Sequence, residues 1–99
     1  MASSINKEEL VENMSANLVL LRTCLGLSQS ELGEKIGLSR QTLMAFEKGR
    51  RVMQWGTFMS LLSVFREDAS ASGLLVYFGI YTEELGRYLV SPGSVARRA

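Results

Sequence analysis

The chain has 99 residues, eleven Lys and Arg against ten Asp and Glu for a formal charge of +1, and 46% hydrophobic residues. That length holds one small domain with modest additions, and the composition excludes a disordered acidic chain, a collagen-like one and a membrane span, which needs ~20 apolar residues. No histidine is present, the single Cys24 allows no internal disulfide, and the start MASSINKEE lacks a basic region leading into an apolar stretch. A soluble cytoplasmic protein is therefore expected, with no enzymatic activity, metal or cofactor.

Asn6 followed by Glu9 is a capped helix start, opening a short polar helix to about Met14 with Leu10 and Met14 on its buried side; residues 1–14 form an N-terminal extension. From Ser15, Leu18, Leu21 and Leu25 keep one face apolar as far as Gly26, the pattern of a first core helix. Cys24 is read as a half-buried packing residue; the alternative, a redox-sensing thiol, needs a nearby cation and a resolving partner.

Ser28 and Glu31 then make a capping box, Leu32 and Ile36 recur at helical spacing, and Gly37 ends the helix with Leu38 free to enter the core. A second start follows at Ser39, with Leu43 and Phe46 on one face and Gly49 before Arg50 and Arg51. Two short helices joined by a tight glycine turn are a helix-turn-helix. Val52 to Thr57 is expected as a loop, after which Phe58, Leu61, Leu62 and Phe65 mark an amphipathic helix that completes the core. Trp55 is read as a packing lid, with stacking on a base or ligand as the alternative.

Residues 66–73 are a polar break. Leu74 to Tyr81 has the composition of a strand, but a lone strand lacks a partner, so a helix from about Ser72 to Phe78 broken at Gly79 is preferred. Thr82 caps a last helix, Glu83 to Leu89, and residues 91–99 are expected to be a disordered tail whose Arg97 and Arg98 are solvated, with phosphate contact as the alternative. The fold class is thus a compact all-α bundle of about five short helices around a helix-turn-helix at residues 15–66, with extra N- and C-terminal helices.

Gly26-Leu27-Ser28-Gln29, Glu31-Leu32, Gly37-Leu38-Ser39-Arg40 and Glu47-Lys48-Gly49-Arg50, in this order and spacing, resemble the Xre/Cro family of DNA-binding domains, which includes the lambdoid phage repressors. The resemblance covers roughly Leu18 to Phe65. Most such domains have alanine where this chain has Gly33; both are expected to be small enough for close helix crossing, and the difference to cost helix stability on the order of 1 kcal/mol. The resemblance implies that Arg22 pairs with Glu47 and fastens the first core helix to the recognition helix; two independent surface charges are the alternative. It implies that the recognition helix enters the major groove by its N-terminal end, so that Arg40, Gln41, Met44 and Ala45 meet base edges. Arg40 would then match guanine, Gln41 adenine, and Met44 or Ala45 a thymine methyl, while a nonspecific phosphate clamp is the other reading of Arg40. Gln29 corresponds to the family's phosphate-contacting glutamine, with Thr42, Lys48, Arg50 and Arg51 completing the backbone clamp.

Charge is distributed accordingly. Arg22 to Arg66 holds seven cations against three anions, +4, and both flanks as far as Val90 are acidic. One domain of this size covers one half-site, so a homodimer on a palindromic double-stranded operator is expected, with Leu74 to Tyr81, alone or with the N-terminal helix, forming its interface, or else packing back on its own domain. The expected function is a bacterial or phage transcriptional regulator, in particular a repressor. The alternative is an antitoxin or adaptor whose C-terminal segment docks a protein partner.

Overall fold

Four short polar side chains at the expected positions take up helix N-terminal amides and so divide the chain. In the computed structural model, which describes residues 5–90, Asn6 Oδ1 accepts from Glu9 N, Ser28 Oγ from Glu31 N, Ser39 Oγ from Thr42 N and Thr82 Oγ1 from Leu85 N, all at 3.0–3.1 Å. They open α1 (Lys7–Ala16), α3 (Gln29–Ile36), α4 (Arg40–Glu47) and α7 (Glu83–Leu89). Between them lie α2 (Leu18–Cys24), α5 (Trp55–Arg66) and α6 (Ala69–Tyr77), so the described residues form seven helices and no strand. This is the all-α bundle that the apolar periodicity predicts.

Helix α3 stops where Gly37 adopts φ 77°, ψ 33°, a left-handed conformation that a residue with a Cβ takes only at a cost. Leu38 N then donates to Gly33 O at 2.8 Å, and α4 turns back across α3. Gly33 lies inside that crossing. A Cβ there would run into the carbonyl oxygen of Leu38 and would stand 3.4 Å from Leu43 Cδ1, so the turn is built around the missing side chain. The expectation that alanine is also small enough for this crossing is therefore corrected: glycine loses helix propensity but permits the close approach.

One core joins all seven helices. Met14, Leu18, Leu21, Leu32, Leu43, Phe58, Leu61, Phe65, Leu75, Ile80 and Leu85 are fully buried, each such side chain contributing roughly 1.5–3 kcal/mol by removal from water. Helix α5 packs on α6, and α2 packs on both α4 and α6. Phe58 to Phe65 alone do not close this core, contrary to the expectation, because Ala71 and Leu75 of α6, Ile80 of the following turn and Leu85 of α7 complete it. Asn13 Nδ2 of α1 donates to Gly79 O at 3.2 Å, tying the extension to the α6–α7 turn.

The boundaries differ from the sequence reading in four places, the first being that α2 begins at Leu18 rather than at Ser15. Helix α1 runs to Ala16; α5 begins at Trp55, so Trp55 to Thr57 are helical rather than loop; and α6 begins at Ala69, where Asp68 Oδ2 caps Ala71 N at 2.9 Å. Trp55 is half-buried and stacks on Phe58 one turn on, ring centroids 4.6 Å apart at 12°. Cys24 is exposed, not half-buried, because the buried arc of α2 is set by Leu18 and Leu21 and Cys24 falls outside it. The tail expected at 91–99, with Arg97 and Arg98, lies outside the described residues.

Candidate nucleic-acid interface

Helix α4 is short, and its wheel separates two sets of side chains. Leu43 and Phe46 are buried, whereas Arg40, Gln41, Met44 and Ala45 share the opposite arc; Arg40 and Gln41 are exposed and Met44 and Ala45 half-buried. The arc begins at the helix N-terminus, since Ser39 is the cap and Arg40 the first helical residue. The half-buried Thr42 side chain stands beside the cap, its hydroxyl 2.9 Å from Ser39 Oγ.

At the other end, Gly49 N donates to Phe46 O and Arg50 N to Ala45 O, at 3.1 and 2.9 Å. These bonds close α4 with a Schellman turn and fix the direction in which Arg50 and Arg51 leave it. Lys48, Arg50 and Arg51 are all exposed. The Arg51 guanidinium carbon stands 5.8 Å from the Phe46 ring centroid. Among the described residues, none of Arg40, Lys48, Arg50 and Arg51 has a carboxylate within 4.0 Å.

Beneath α4 lies a polar knot that only three-dimensional packing brings together. Arg22 Nε donates to Glu47 Oε2 at 2.7 Å and its Nη2 to Glu47 Oε1 at 3.2 Å, a two-pronged pair whose side chains are 13% and 5% exposed. Arg22 Nη1 also donates to Leu27 O at 3.0 Å. Gln29 Nε2 donates to Glu47 Oε1 at 2.8 Å, a contact the sequence reading did not contain. Four points of the motif are thereby joined: α2, the loop before α3, the first residue of α3 and the last residue of α4.

The pattern of a helix-turn-helix domain family matches residues 14–71, more than half of the chain and the whole of this arrangement. The chain belongs to the helix-turn-helix domain family. An uncharacterized HTH-type transcriptional regulator of Methanothermobacter thermautotrophicus is similar, 62% identical over 26 residues. That stretch is 26% of this chain and spans 38% of the relative's length. The family match begins at Met14 and ends at Ala71, so most of α1, most of α6 and all of α7 lie beyond it although they share its core. No described helix is long and apolar enough to cross a membrane.

Proposed function

We propose that the protein is a sequence-specific, double-stranded DNA-binding transcriptional regulator of the Xre/Cro type, acting as a repressor by occupying an operator in the major groove. The observation that carries this reading is the outward arc of Arg40, Gln41, Met44 and Ala45 at the capped end of α4, flanked at the other end by cations that have no carboxylate partner among the described residues. Arg40 and Gln41 have the paired donors and acceptors that guanine and adenine edges match, and Met44 and Ala45 offer apolar surface to a thymine methyl. Gln29, Thr42, Lys48, Arg50 and Arg51 grip phosphates and set register without reading sequence. Selecting duplexes from a random pool beside an Arg40→Ala, Gln41→Ala double variant tests this. A palindromic site lost in the variant is expected; enrichment indifferent to the variant overturns base reading.

The regulator acts as a homodimer, and the exposure of Val76 and Tyr77 on α6 supports the outer face of that helix as its contact surface. Leu75 and Ile80 are spent in the core, whereas Val76 and Tyr77 are 62% and 80% exposed. With Ala69, Ser70 and Gly73 they make an uncharged face on α6. A two-fold interface sets each patch against itself, so an uncharged apolar patch self-associates without like-charge repulsion. Sedimentation at high concentration without DNA tests it; only monomer there would refute this interface, and co-purification of a stoichiometric foreign protein would favour the adaptor reading.

A further inference from the structure

We infer that Glu47 is a positioning residue for the Gln29 phosphate contact, holding the Gln29 side chain in its binding conformation before DNA arrives; this rests on the DNA-reading proposal above. A carboxylate only accepts hydrogen bonds, so Glu47 Oε1, 2.8 Å from Gln29 Nε2, dictates which end of the Gln29 amide faces inward. One N–H is spent on Glu47. The second N–H of the same nitrogen remains a donor for a phosphate oxygen at the start of α3.

A bare carboxylate behind that donor would repel the phosphate. Arg22 removes the objection, since its Nε and Nη2 meet both Glu47 oxygens at 2.7 and 3.2 Å and the carboxylate is only 5% exposed. The order of action is therefore Arg22 of α2, Glu47 at the end of α4, then Gln29 at the start of α3. Glu47 touches no DNA in this scheme. It couples the phosphate grip of α3 to the helix that reads bases, so a shift of α4 is felt at once by the phosphate contact.

Holding one flexible side chain in advance is worth roughly 2- to 12-fold in affinity per half-site. The test is a cycle on the full chain, measuring fluorescence anisotropy with the selected duplex and a scrambled one of equal length. Gln29→Ala should weaken both duplexes by the same factor. In an Arg22→Met, Glu47→Leu background, which replaces the pair by apolar side chains of similar volume, the Gln29→Ala loss should shrink to less than twofold. Nitrogen relaxation of side-chain amides in the unbound wild-type chain supplies a readout independent of any variant's folding: the Gln29 amide should be rigid, and the exposed Gln41 and Gln54 amides mobile. Equal Gln29→Ala losses in the two backgrounds, or a Gln29 amide as mobile as that of Gln41, would overturn this inference while leaving DNA reading intact. A wild-type chain that binds no duplex would overturn both.

Discussion

Replacing Glu47 by alanine should remove about 3 kcal/mol of folding stability. The carboxylate accepts three N–H bonds, two from Arg22 and one from Gln29. Without it the guanidinium keeps only its 3.0 Å bond to Leu27 O, at a site where 13% of the side chain is exposed. Stranding one charge of a buried pair costs about 3–5 kcal/mol, and the water that still reaches Arg22 sets the lower end of that range. For a domain of this size such a loss lowers the melting temperature by roughly 12–24 °C. Urea unfolding followed by far-ultraviolet circular dichroism measures it, with Glu83→Ala as an internal comparison. Arg87 and Glu83 also pair, at 3.2 Å, but are 64% and 83% exposed, so that variant should change stability by only about 0.3–0.5 kcal/mol. If Glu47→Ala loses less than about 1 kcal/mol, Arg22 and Glu47 behave as surface charges and the fastening argument fails.

Two glycines should respond oppositely to alanine. At Gly73, in the middle of α6 with open space where a Cβ would stand, alanine should stabilise by up to about 1 kcal/mol through helix propensity. Gly33→Ala should destabilise by up to about 2 kcal/mol, because the Leu38 backbone must move and overpacking costs about 1–3 kcal/mol against the roughly 1 kcal/mol that propensity returns; thermal melts of the two variants, if both rise, would contradict the crossing geometry. Leu75→Ala should cost about 2–5 kcal/mol by chemical denaturation, since Leu75 is fully buried, and a value under 1 kcal/mol would mean that α6 is not part of the core. Arg40→Ala should flatten base preference at one position of each half-site, whereas Arg51→Ala should weaken all duplexes alike and reduce the salt slope of binding by about one; the reverse assignment would exchange their roles.

The helix starts were legible because a cap is a local device. Asn6, Ser28, Ser39 and Thr82 each act on an amide three residues away, within reach of a sequence pattern. Where the local device is absent, the boundary has no mark: Gln54 makes no side-chain cap bond before α5, and nothing in the sequence signals a start at Trp55. Asp68 does cap α6, but the polar run around it held several equally good candidates.

The outward arc of α4 was legible for a similar reason, since helical spacing alone separates Arg40, Gln41, Met44 and Ala45 from Leu43 and Phe46. The knot beneath it was not. Gln29 and Glu47 are eighteen residues apart, and periodicity within either helix says nothing of their meeting at 2.8 Å. The fate of the aromatic C-terminal run was equally hidden. Helix α6 is apolar on nearly every side, so its sequence does not reveal that Leu75 turns inward while Val76 and Tyr77 face out.

By itself, then, the sequence determined what depends on neighbours three or four residues apart: the helices, their caps, the glycine turn and the outward residues of α4. Tertiary structure alone decided what depends on distant surfaces meeting. It set the close crossing that requires Gly33, the joining of α6 and α7 to the core, and the neutralised Glu47 that holds Gln29, because burial and a shared carboxylate are properties of packed helices and not of any one of them.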